Sequence, residues 1–163
     1  MKINLRHLLA VTILALAAGA AFAADTNEPP ANAPNPAADK LGAARAQIAG
    51  KNWAAAIDEL KRVNDTGSAD WNNLMGYSLR KGKTPDYAAA EQFYNEALRI
   101  NPKHKGALEY SGELYLMTGD LPKAEQRLSA LDKICMLPCE EYTDLKKAVA
   151  RFKANGNRYV AEQ

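Results

Sequence analysis

The chain has 163 residues, 47% hydrophobic and 25% charged, which is enough for one ordinary folded domain with a core of its own. Its 21 basic and 19 acidic side chains nearly balance, so the positive footprint needed to hold nucleic acid or an anionic membrane is missing. At the N-terminus, Lys2, Arg6 and His7 precede an apolar run, Leu8 to Ala18, broken only by Thr12. Ala21-Phe22-Ala23 then supplies a small-residue cleavage site. This layout predicts a secretory signal peptide over 1–23, cleaved after Ala23. The run falls short of the roughly 20 apolar residues of a permanent anchor. Neither a twin arginine nor a lipidation cysteine accompanies it. The expectation is Sec export to a bacterial periplasm, with no membrane insertion after processing. Removal of the segment also makes basic and acidic side chains equal in number, because it carries Lys2 and Arg6 but no acid.

Residues 24–39 form a Pro/Ala-rich linker. Asp25 to Asp39 hold four prolines and no large anchor for a core, a composition that favours extended, solvated chain. From Lys40 onward the pattern becomes helical and repeats itself. Trp53, Ala56, Leu60 and Val63 recur 34 residues later as Tyr87, Ala90, Tyr94 and Ala97, and 34 later again as Leu121, Ala124, Leu128 and Leu131. Each set falls on one face of a helix and predicts a stripe buried between repeats, with Trp53, Tyr87 and Leu121 at its start. The partner helices keep a similar interval: Ala44, Gly76 and Gly112 align, and Leu79 aligns with Tyr115. Ser68, Thr84 before Pro85, and Asp120 are the expected N-caps, and Asn101-Pro102 ends a helix.

These motifs resemble the tetratricopeptide repeat family. The resemblance is carried by "WNNLMGYSLRKGKTPDYAAAEQFYNEALRINP" and "ALEYSGELYLMTGDLPKAEQRLSALD", and more weakly by "LGAARAQIAGKNWAAAIDELKRV". Trp71 stands one residue further from Gly76 than the family pattern has it, and Ser111 replaces the usual leucine before Gly112. The "CMLPCEEY" tail is similar to that of small exported proteobacterial repeat proteins. The resemblance implies an all-α fold, a right-handed α-α superhelix of three helix pairs plus a C-terminal capping helix. Its parts are a degenerate first repeat over 37–68, repeats over 69–104 and 105–138, a cap over 139–155, and a flexible tail over 156–163. The cap places Tyr142, Leu145, Val149 and Phe152 on one stripe.

No residue pattern points to catalysis or to a cofactor. Beyond the leader the only histidine is His104, set between lysines in a polar turn and read as a solvated turn residue. Phosphate loops, nucleophile elbows and metal-binding His pairs are missing from the sequence. The two cysteines, Cys135 and Cys139, sit around Pro138 at the turn into the cap. In an oxidising compartment a disulfide is the leading expectation. A Cu(I) or redox site that includes Met136, and a pair of free thiols, are the alternatives.

The family geometry implies a concave groove lined by the first helix of each pair. That places Leu41, Arg45 and Ile48, then Asn73, Tyr77, Arg80 and Lys81, then Glu109, Glu113 and Leu116 on a partner-binding surface. The function implied is a scaffold or adaptor for a protein or peptide partner in the cell envelope. The competing reading is a thiol or copper accessory protein that works through the cysteine turn.

Overall fold

The structure is a computed structural model and describes residues 39–160. The expected signal peptide, the linker up to residue 38 and residues 161–163 lie outside the described residues. Among the described residues the chain forms seven α-helices and no strand. They are α1 (Gly42–Ala49), α2 (Trp53–Val63), α3 (Ala69–Lys81), α4 (Tyr87–Ile100), α5 (Lys105–Met117), α6 (Leu121–Ile134) and α7 (Glu140–Ala154). Helices pair as α1 with α2, α3 with α4 and α5 with α6. Successive pairs meet through α2–α3 and α4–α5, while α7 packs on α5 and α6. This is an α-α solenoid closed by a seventh helix.

Small residues set the close spacing. Ala56, Ala90 and Ala124 are wholly buried. A methyl group on Gly76 would lie 2.9 Å from the Tyr94 ring, and one on Gly112 would lie 2.5 Å from Leu145 Cδ2. Real side chains do not approach so closely, so glycine is what lets α4 lie against α3 and α7 against α5. The core runs as three joined clusters: Leu79 borders the first and second, and Leu98 the second and third. Stacked repeats bury a continuous core in this way, each shielding the next. Trp53, Tyr87 and Leu121 are only half-buried. They open the first turns of α2, α4 and α6, at the ends of the pairs, where Trp53 packs edge-on against Tyr77 at 5.7 Å.

The two departures from the repeat pattern are both accommodated by hydrogen bonds. Trp71 is buried, donates its indole N–H to the Leu60 carbonyl at 2.7 Å, and meets the Phe93 ring edge-on. The hydroxyl of Ser111, also buried, donates to the Leu108 carbonyl at 3.3 Å. A buried polar group without such a partner would be costly.

Ser68 and Asp120 cap α3 and α6 through the Trp71 and Lys123 N–H groups. The cap of α4 is Asp86 and not Thr84; its carboxylate accepts from Ala89 N–H at 2.9 Å. A carboxylate is the stronger acceptor and suits the positive end of the helix dipole. His104 is likewise no solvated turn residue. It is the N-cap of α5, with Nδ1 accepting from Ala107 N–H at 3.0 Å and Nε2 paired with Asp70 Oδ1 at 2.9 Å. The two bonds assign the proton to Nε2 and hold the ring across the α3–α5 junction.

Cys135 ends α6 and Cys139 precedes α7, and a disulfide joins them with their Cα atoms 5.8 Å apart. The turn projects Met136 and Leu137 into solvent.

Candidate functional site

The site is built on α3, α5 and α7, whose polar faces converge. An open groove of about 470 Å³ is bordered by Tyr77, Arg80 and Lys81 on α3 and by Glu109, Tyr110 and Glu113 on α5. Four residues of α7 complete it: Glu140, Asp144, Lys147 and Arg151. At its acidic end lies a smaller pocket of about 200 Å³, which Asn73 and Gly106 border together with Glu109, Tyr110, Glu140, Glu141 and Asp144.

Arg80 is the centre of the larger groove. Its side chain is 2% exposed, and Nη2 meets Glu113 Oε2 at 2.7 Å. Nη1 lies 3.6 Å from Met117 Sδ. The guanidinium also rests over the Tyr77 and Tyr110 rings at 5.5 and 5.7 Å, an attraction of cation to ring face that is strengthened where water is excluded. Burial by itself would lower the Arg80 pKa. Tyr94 and Glu113 outweigh it and hold the guanidinium above its ordinary value. The Tyr94 hydroxyl oxygen and Arg80 Nε are both buried, and both lack a partner in hydrogen-bond geometry. Burial raises the phenol pKa values of Tyr77, Tyr94 and Tyr110, so the aromatic wall stays neutral. Tyr77 and Tyr110 lie 4.5 Å apart between ring centroids and form a continuous ledge.

Glu109 is the perturbed acid of the site. Burial, then Glu113, Asp144 and Glu141, push its carboxyl up to about 8. A buried carboxyl with other acids gathered round it from two helices favours its protonated form.

Of the residues expected on the groove, Tyr77, Arg80, Lys81, Glu109 and Glu113 come together, and Asn73 borders the acidic pocket beside them. Leu41 does not belong to it. It packs in the core with Leu60, Trp71 and Met75, because the side chains of α2 and α3 close over the start of α1. Leu116 is also core, 1% exposed, in the cluster that the docking of α7 on α5 closes. Arg45 bridges Asp39 and Asp70, each at 3.6 Å. Ile48 is half-buried on α1. Arg80 lines the groove as a buried ion-paired strut, not as an exposed contact.

The sequence reading missed Tyr110 and the whole contribution of α7. A signal was present: Glu140, Asp144, Lys147 and Arg151 recur at helical spacing opposite the apolar stripe of the cap. Among the described residues no group of three or more His, Cys, Asp or Glu side chains is arranged to hold a metal ion. No helix among them is long and apolar enough to cross a membrane.

Paired helices stacked around a polar, aromatic-walled groove define a helical-repeat interaction domain. The family model for the tetratricopeptide repeat matches residues 85–134, from the turn before α4 to the end of α6, and that match supports a tetratricopeptide repeat fold. Such repeats mediate protein–protein interactions and are typically non-enzymatic scaffolds. Comparison with curated proteins finds no match.

Proposed function

We propose that the protein is an exported adaptor that binds an extended segment of a partner protein in the groove between α3, α5 and α7. The observation that supports this is the Tyr77–Tyr110 ledge beside the charged rims of α5 and α7. An aromatic centre ringed by polar groups is the usual composition of a binding hot spot. Tyr77→Ala should weaken partner capture from an envelope extract by more than about 1 kcal/mol. A Cys135→Ser/Cys139→Ser double variant should capture normally. Thermal melts establish that each variant is folded. Loss of the partner in the cysteine variant and retention in Tyr77→Ala would instead place the activity at the cysteine turn.

Export rests on the leader-like residues 1–23 and is favoured by a disulfide, which persists in oxidising compartments. The intact mass of the periplasmic protein should correspond to a chain that begins at Ala24 with no thiol open to alkylation. A form that retains Met1 in the membrane pellet would overturn the export reading.

A further inference from the structure

We propose that the acidic pocket at the end of the groove is a subsite for one basic side chain, a lysine or arginine, of the bound partner segment. This rests on the groove reading above and deepens it.

Three features of the pocket converge on that occupant. The first is an excess of acid. Glu109 on α5 and Glu140, Glu141 and Asp144 on α7 border a space of about 200 Å³ that no basic side chain lines. On the adjoining groove Arg80 pairs with Glu113 at 2.7 Å, and Lys147 offsets one of the four acids, Asp144, at 3.2 Å. The second is an unused acceptor. Asn73 is 7% exposed, lines the same pocket, and its buried Oδ1 accepts no hydrogen bond. Nearly all buried side-chain oxygens are satisfied in folded proteins, so this one marks a place for a donor. The third is shape. Tyr110 forms one wall and gives the stem of a long side chain an aromatic surface to lie along. The volume suits the head and stem of one long side chain, with the main chain of the segment left in the adjoining groove of about 470 Å³. A bound metal is a poorer fit, since the carboxylates of the described residues do not gather into a ligating group.

The protonated state of Glu109 gives the subsite a signature of its own. It shares the groove with Tyr77, Arg80 and Lys81 of α3 and with Tyr110 and Glu113 of its own helix. From α7 come Glu140, Glu141, Asp144, Lys147 and Arg151. Burial and the surrounding acids hold its carboxyl up at about 8. An incoming ammonium or guanidinium favours the ionised form, so binding expels a proton. Affinity therefore rises as the pH climbs from neutral toward that value and levels off above it.

A random-peptide display library selected on the full chain tests this. Binders should carry lysine or arginine at one constant position. Replacing that residue by norleucine should weaken binding about tenfold, and Glu109→Gln should weaken the basic peptide by a similar factor while sparing the norleucine one. Affinity of the basic peptide should increase between pH 6.5 and pH 8.5, with proton release seen by calorimetry in buffers of different ionisation heat. Binders that need Tyr77 but share no basic position, or whose basic residue is indifferent to Glu109→Gln, would overturn the subsite and leave the groove intact. If no binder depends on Tyr77, the groove reading falls and takes the subsite with it. Calcium chloride or spermidine displacing the peptide at equal concentration would overturn the assignment to a peptide side chain.

Discussion

Arg80→Ala should lower folding stability by about 3–5 kcal/mol, the usual penalty when one partner of a buried ion pair is removed and the other stays. The side chain is 2% exposed and Glu113, its partner at 2.7 Å, is 27% exposed, so water reaches the abandoned carboxylate only in part. The Tyr77 and Tyr110 rings lose the cation between them as well. Adding Glu113→Gln should recover part of the loss, because it removes the stranded charge. Urea unfolding of the two single variants and the double variant measures this, and the interaction term should be well over 0.5 kcal/mol. A loss within about 1 kcal/mol of that for an exposed pair would show that the guanidinium is solvated and not a strut. The consequence for function is direct: a strut holds α3 to α5 and keeps Tyr77 against Tyr110, so Arg80 variants report on the shape of the groove before they report on contact with a partner.

The second large effect lies at the cap. Leu145 is fully buried, and its methyl carbons occupy the space in front of Gly112. Leu145→Ala should cost about 2–5 kcal/mol through lost burial and the cavity left behind. Gly112→Ala should cost about 1–3 kcal/mol, since its new methyl would sit 2.5 Å from Leu145 Cδ2 inside a packed cluster. The two should not add. In the Leu145→Ala background the methyl at 112 enters vacated space, and the double variant should be no less stable than Leu145→Ala alone. Strict additivity in denaturant melts would mean that α7 does not dock over Gly112. Because α7 also supplies one wall of the groove, Leu145→Ala should weaken partner binding even where the chain remains folded.

The helical stack was legible before any coordinates because its causes are periodic. Ala56, Ala90 and Ala124 recur at a constant interval, each on a helix whose apolar face can be buried only by a neighbouring pair. Gly76 and Gly112 mark where a second helix must come close. Periodicity of this kind states which face is inward but not how far a face is covered. For that reason Leu116, which shares a helical row with Glu109 and Glu113, was placed on the groove, although the docked α7 seals it into the core. Leu41 was misplaced because a leucine in the first turn reads as exposed until Trp71 and Met75 are seen to close over it. His104 shows the same principle for a polar group. Its lysine neighbours in the chain describe a wet turn, while its actual partner, Asp70, stands 34 positions away on another helix.

The sequence by itself determined the repeating helix pairs and the capping seventh helix, which depend on spacing along the chain, and made a Cys135–Cys139 disulfide the leading of three readings. Only the tertiary structure decided the chemistry of the groove: the burial of Arg80 against Glu113, the ledge of Tyr77 and Tyr110, and the gathering of acids from α5 and α7 around Glu109 and Asn73. Those features depend on distance and on exclusion of water between residues remote in sequence. Electrostatic energy varies with both, and a one-dimensional pattern contains neither.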